Sequence, residues 1–327
     1  MSPASNELPG FFICHTIYIF AEKDKATMSK YLSILFLCCL PTWLWAGENY
    51  RFRVYLKDKG DDGFRVEEPE AYLSRQATER RAKNDIAVTD ADFPISRSYI
   101  AMLSETGATP VVQSKWFATV VVESPDSTVA EQLQQLAIVD SVKWIWKGNL
   151  RVPAEEKWED RFVSEDEPLH NEYGYSYKQI KMLNGTKLHE AGFRGEGMRV
   201  AVIDAGFMNA DRVSAFDSLR LLGTHNVVFP GKSVFVGDDH GTKVLSCLAA
   251  DIPGVMVGTA PKASYLLLKS EDSDSEYPVE EDYWTAAVEY ADSAGVDVIS
   301  SSLGYFAFDT DELSYDQDAL DGRTAMI

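Results

Sequence analysis

The sequence predicts an α/β chain: a doubly wound parallel sheet in the C-terminal half, preceded by a small α+β domain. Three observations carry this. Residues 199–203, 264–269 and 296–300 are short apolar runs of the kind buried on both faces of a parallel sheet. Helical patterns, at 240–250 and 279–294, alternate with those runs, as right-handed strand–helix–strand crossovers require. Residues 50–56, Tyr-Arg-Phe-Arg-Val-Tyr-Leu, instead alternate polar and apolar, which marks a different kind of strand.

The chain has 327 residues, 45% apolar and 25% charged, ordinary for a globular protein. Its formal charge of -20 argues against a nucleic-acid partner, because phosphate binding needs clustered Lys and Arg. Of four cysteines, Cys14, Cys38 and Cys39 lie near the N-terminus, leaving Cys247 by itself. A disulfide scaffold is excluded.

Residues 1–46 read as a leader. Met28-Ser29-Lys30 gives a short basic start, residues 32–40 an apolar core, Pro41 a break and Ala46 a small residue for cleavage. This places translation start at Met28 and the mature protein outside the cytoplasm, secreted or periplasmic. The alternative is a membrane anchor built from residues 11–46. Lys23, Asp24 and Lys25 argue against a single span, and both apolar runs fall short of the ~20 residues one needs.

Residues 47–150 form the predicted α+β domain. After the strand at 50–56 comes a charged, helix-prone segment at 69–84. A helix at 98–106 is stopped by Gly107. Strands follow at 109–113 and 116–123, then a helix at 127–137 with Val129, Leu133 and Leu136 on one face. A closing strand spans 142–146, with one ring of Trp144 and Trp146 expected in the core. Residues 151–177 are rich in Glu, Asp and Pro and read as an exposed linker.

Residues 178–327 carry the specific motifs. The strand Arg199-Val200-Ala201-Val202-Ile203 ends in Asp204-Ala205-Gly206. Open α/β sheets place their sites at such carboxyl ends. Asp238-Asp239-His240-Gly241-Thr242-Lys243-Val244 opens a helix, and Gly295 caps the helix at 279–294. Ser302-Leu303-Gly304 follows the third buried strand. Taken singly, Asp204 is also the kind of residue that binds a ribose or caps a helix, and His240 one that caps a helix or fills a core. Asp238, Asp239 and the acidic stretch 271–282 read as solvated loops rather than metal sites. His189 and His225 read as structural. Gly231-Lys232-Ser233 hints at a P-loop, but Asn226 stands where its first glycine belongs.

Together these segments resemble the subtilisin family of serine proteases. Residues 197–206 are similar to that family's aspartate motif and residues 240–244 to its histidine motif. Residues 258–263 are similar to the turn before its next core strand, and Ser302-Leu303-Gly304 to its substrate-binding strand. Lys243 stands where many members carry a second histidine. The layout of residues 47–150 resembles the inhibitory propeptides of these enzymes.

The resemblance implies a secreted endopeptidase made as a zymogen, with Asp204 and His240 catalytic and Ser302, Leu303 and Gly304 holding an extended polypeptide substrate. The propeptide domain would pack on the catalytic domain. No cofactor is implied, and structural calcium is not legible. In such a triad His240 takes the proton of a serine hydroxyl, and Asp204 holds its tautomer and stabilises the imidazolium. The family's serine lies in a Gly-Thr-Ser segment and its oxyanion asparagine in Ala-Gly-Asn; neither string occurs here. Ser246 falls inside a helix, and Ser300 and Ser301 on the substrate strand. The chain is therefore expected to be C-terminally truncated and inactive as it stands. The alternative is a non-enzymatic pseudoprotease or a propeptide-type inhibitor fragment.

Overall fold

The alternation at 50–56 becomes β1, Asn49–Leu56, the second-from-edge strand of an antiparallel sheet. The computed structural model describes residues 48–153, 171–319 and 321; the leader, most of the predicted linker and residues 322–327 lie outside these. Around β1 are helices α1 (Arg75–Lys83), α2 (Arg97–Glu105) and α3 (Val129–Gln134), and strands β2 (Thr109–Ser114), β3 (Thr119–Ser124) and β4 (Val139–Gly148). The sheet order is β2-β3-β1-β4.

Both faces of β1 are covered. Phe52, Val54 and Leu56 enter a core with Leu103 of α2, Leu133 of α3, and Val120 and Val122 of β3. Arg51 and Arg53, the polar half of the alternation, are also buried, against the C-terminal half of the chain.

Two predicted boundaries move. The segment 69–84 is not one helix: residues 69–71 make a short turn, and α1 starts afresh where the Ser74 side chain accepts the Ala77 N–H at 3.1 Å. The third strand begins at Thr119 rather than 116, because Ala118 takes a left-handed φ of 50° to close the preceding turn.

The C-terminal part opens with α4 (Tyr177–Met182) and α5 (Gly185–Glu190), whose short apolar pattern gave no sequence signal. Just before them Tyr173 and Ser176 are buried, the Ser176 hydroxyl donating to Val257 O at 2.7 Å. The parallel sheet has the order β10-β5-β9-β6. Its strands are β5 (Arg199–Asp204), β6 (Arg220–Asn226), β9 (Ser264–Lys269) and β10 (Val298–Ser301); a small hairpin pairs β7 (Asp251–Ile252) with β8 (Met256–Val257). β6 escaped the sequence reading because it is an edge strand with exposed Leu221 and Leu222 and an irregular register at Leu221/Gly223.

The sheet is wound on both faces. Val200, Val202, Tyr265 and Leu267 pack under Leu245 and Ala249 of α6 (His240–Ala249). Ala201, Ile203, Leu266 and Leu268 pack under Tyr283, Ala287 and Ala291 of α7 (Val279–Ala294). Gly295 ends α7 in the left-handed conformation, φ 79°. Among the described residues no helix is long and apolar enough to cross a membrane.

α7 also carries the N-terminal domain. Val121, Ile145 and Trp146 of the antiparallel sheet belong to the same core as Tyr283 and Ala287. The expectation that residues 271–282 form a solvated loop is overturned here: Glu271, Asp272, Glu280, Glu281 and Asp282 are all buried. Each has partners: the Arg53 guanidinium reaches Asp282 at 2.7 Å and Glu281 at 3.1 Å, Glu271 accepts from Tyr305 and Ser270, and Glu280 accepts the Asp272 N–H at 2.9 Å. Midway along α7, Glu289 accepts from Ser114 Oγ at 2.6 Å and from the Lys115 and Trp116 N–H groups at 3.0 Å. At its end, Asp292 meets Arg80 and Arg81, the latter at 2.5 Å. The domain thus grips α7 at its start, middle and end.

Candidate active site

β5 delivers Asp204 to the carboxyl end of the parallel sheet, fully buried. α6 begins at His240, whose side chain is half exposed. His240 Nδ1 lies 2.6 Å from Asp204 Oδ1. The carboxylate accepts only, so the ring nitrogen donates; this fixes the tautomer and leaves Nε2 as acceptor when the imidazole is neutral. Asp204 Oδ1 also accepts the Ala205 N–H at 2.8 Å.

Two glycines permit this approach. A Cβ on Gly241 would fall 2.4 Å from Gly206 O and 2.9 Å from Asp204 Cβ. One on Gly206 would fall 2.8 Å from Asp238 O. The histidine helix therefore sits directly on the backbone of the aspartate loop. Asp238 Oδ1 accepts the His240 N–H at 2.7 Å, so this aspartate orders the helix start. Thr242 Oγ1 donates to Met208 O at 2.9 Å, and the Met208 N–H to Asp238 O at 2.9 Å. Lys243, in place of a second histidine, pairs with Asp239 at 2.7 Å on the surface.

The two titrations are linked. The hydrogen bond to Asp204 holds the His240 imidazolium above the ordinary histidine value, against a smaller opposing effect of burial. Burial pushes the Asp204 carboxyl up, and the bonds from His240 and Ala205 pull it part of the way back. A buried acid and a solvent-facing base, hydrogen-bonded in this order, form a unit that can move a proton at Nε2.

The structure places the other sequence-predicted residues less regularly. β10 ends at Ser301, so Ser302, Leu303 and Gly304 leave the strand as irregular chain rather than continuing it. Ser302 and Gly304 are exposed, and Leu303 packs against the α7 core. Ser301 accepts the Trp284 Nε1–H at 2.8 Å, and Ser246 donates to Lys243 O within α6. His189 bonds Thr259 O and stacks on Tyr173, while His225 stacks on Tyr290. Asn226, in the would-be P-loop, accepts the Phe229 N–H at 2.8 Å and closes a turn. Sequence reading missed Lys269, the cation that ends the run Tyr-Leu-Leu-Leu-Lys and lies buried beside Asp204.

Known proteins match both parts of the chain. Residues 51–160 match the family described as Peptidase S8 propeptide domain, Bacteroidota. Subtilisin E of Bacillus subtilis is 32% identical over 147 residues, covering 44% of this chain and 36% of that protein. The chain is thus similar to subtilisin-like proteases and carries a segment that matches an S8 propeptide family. A second similar protein, the major intracellular serine protease of Bacillus subtilis, is 31% identical over 133 residues, 38% of this chain and 40% of that protein. The chain thus aligns with little more than a third of the length of these relatives. Among solved structures, fervidolysin from Fervidobacterium pennivorans, a keratinolytic enzyme related to subtilisin, superposes with a TM-score of 0.46 at 15% identity, over 82% of this chain and 38% of its own.

Proposed function

We propose that Asp204 and His240 are the acid and base of a serine endopeptidase site that hydrolyses peptide bonds of polypeptide substrates. The observation that carries this is the 2.6 Å bond between a buried strand-end carboxylate and a half-exposed imidazole, in a chain similar to subtilisins. Nε2 accepts the proton of a serine hydroxyl as its oxygen attacks the scissile carbonyl, then returns that proton to the leaving amine. Asp204 holds the ring and stabilises the imidazolium in between. Ser302, Leu303 and Gly304 run on from the end of β10, with Ser302 and Gly304 exposed, and are the segment on which an extended substrate would lie. No cofactor enters the scheme.

The domain order belongs to the same reading: residues 1–46 direct export, 47–150 form the propeptide, 151–177 carry the processing site, and 178–327 belong to the catalytic domain. These 327 residues contain no Gly-Thr-Ser segment, so they do not turn over substrate by themselves. Two measurements test the proposal. The His240 imidazole, followed by NMR, titrates above the ordinary value and falls in Asp204→Asn; a His240 that ignores this change overturns the pair. In a fluorogenic peptide assay the chain gives no turnover; turnover abolished by His240→Ala would show that a nucleophile is already present. A mature N-terminus upstream of Met28 on exported protein would overturn the leader assignment.

A further inference from the structure

We propose that Lys269 is a positioning residue for the Asp204–His240 pair: a buried ammonium that fixes the main chain just after the aspartate. The inference rests on the reading of that pair as acid and base. Lys269 ends β9 and lies in register with Asp204, which ends β5. It is only 2% exposed. Withdrawing an ammonium from water is costly, and an apolar side chain would fill a strand end as well. Retaining a lysine here calls for a role at its charged end.

That end donates to Ala205 O. The N–H of the same residue donates to Asp204 Oδ1. The two peptide groups flanking Ala205 are therefore both held, one by the catalytic carboxylate and the other by the lysine. Next in sequence is Gly206, whose backbone bears on Asp238 O and supports the close approach of Gly241. Asp238 in turn orders the start of the histidine helix. A turn of the peptide group after Ala205 would move both loops of the pair. Lys269 and Asp238 also line one cavity of about 230 Å³, with Asp272 on its far side. The ammonium there faces carboxylates from three directions: Asp238 before α6, Glu271 and Asp272 after β9, and Glu280 on α7. Burial lowers the Lys269 pKa, and these acidic groups, Asp238 first, offset part of that effect.

The test is the NMR titration of His240 in the full chain, in wild type, Lys269→Met and Lys269→Arg. A nearby cation acting by charge alone would depress the histidine, so its removal would raise the His240 pKa. Positioning has the opposite sign: without Lys269 the Asp204 contact loosens, and the pKa falls towards ~6.5. Lys269→Arg keeps a long cationic donor and restores most of the shift. An unchanged or raised pKa in Lys269→Met overturns the proposal. His189 and His225 serve as reporters that the variant is folded. If it does not fold, a wild-type spectrum correlating Lys269 Nζ with the Ala205 carbonyl carbon decides, and absence of that coupling overturns the proposal. Asp204→Asn separates the two readings. If it leaves His240 unmoved, the acid–base pair fails; if it lowers His240 while Lys269→Met does not, only the positioning role fails.

Discussion

Arg53 of β1 and Asp282 of α7, 229 residues apart, form a two-pronged ion pair out of contact with solvent: Nε to Oδ1 at 2.8 Å and the terminal nitrogen to Oδ2 at 2.7 Å. The same guanidinium donates to Pro278 O at 2.9 Å and to Glu281. Its charged form is strongly favoured because Asp282 and Glu281 outweigh the effect of burial. Removing one partner of such a pair strands the other charge, which costs about 3–5 kcal/mol, whereas replacing both with apolar groups is often neutral. Arg53→Met should therefore lower the urea midpoint sharply, and Arg53→Met with Asp282→Leu and Glu281→Gln, which leaves neither acidic partner charged and buried, should recover much of the loss. Equal midpoints for wild type and Arg53→Met would contradict the role given to this contact.

A second prediction concerns pH. Burial, reinforced by the mutual repulsion of neighbouring carboxylates, pushes Glu280 up to about 10 and Glu271 to about 7. Both values lie above those of an unfolded glutamate, so the folded chain holds protons that the unfolded chain releases. The contribution to stability is then full below about pH 4 and is lost as pH rises, first through 7 and then towards 10. Glu280→Gln removes one of these protons from the balance. Between pH 5 and pH 9, wild type should lose more stability than the variant, by at most about 1.4 kcal/mol for each pH unit. Urea titrations at the two pH values measure this, and parallel losses would sink the idea.

The parts of this architecture that were legible in sequence are those where one local pattern decides. Ala201 and Ile203 face α7 while Val200 and Val202 face α6, so a strand buried on both faces had to read as continuously apolar. Asp204 and His240 were legible because each stands at the join between an apolar run and a turn, where the sheet exposes its carboxyl end. Burial of Glu281 and Asp282 was not, because it depends on Arg53, which is far away in sequence; without that partner these residues have the composition of a solvated loop. β6 was missed for the opposite reason, since an edge strand with exposed leucines carries neither an alternating nor a continuous pattern. Lys269 ends an apolar strand, and only the tertiary pairing of β9 with β5 sets it beside Asp204.

Glu289 offers a prediction about the middle of the grip on α7. It is buried and accepts one hydroxyl and two main-chain N–H groups from the turn between β2 and β3. Glu289→Ala leaves the buried Ser114 hydroxyl and two part-buried N–H groups without this acceptor, at up to about 1–3 kcal/mol for each group left orphaned and less than additively in sum. The variant should lose about 3 kcal/mol, with Glu289→Gln intermediate because its amide keeps one acceptor oxygen. Amide hydrogen exchange at Lys115 and Trp116 is the sharper readout, and it should accelerate in Glu289→Ala. Exchange at wild-type rates would mean that the turn is held by other contacts.

The closest backbone approach in the candidate site yields the last prediction. Gly241 lies in the first turn of α6 with regular helical freedom, so an alanine there is not opposed by its backbone conformation. The obstacle is space, since its methyl would meet Gly206 O at 2.4 Å and Asp204 Cβ at 2.9 Å. Neither neighbour is the free end of a flexible side chain: one is main chain, and the other is the root of a residue in the middle of the sheet. The helix must therefore back away from the aspartate loop, and the 2.6 Å bond between His240 and Asp204 lengthens or breaks. Overpacking of this kind costs about 1–3 kcal/mol. Gly241→Ala should lower the melting temperature modestly yet bring the His240 titration back towards ~6.5, because the hydrogen bond to Asp204 is the largest cause of its elevation. The same methyl at Gly192, where nothing lies within 4 Å, serves as a control for changes unrelated to the site, although its φ of 89° adds local strain. A Gly241→Ala variant whose His240 titrates as in wild type would show that the loops can part without disturbing the pair.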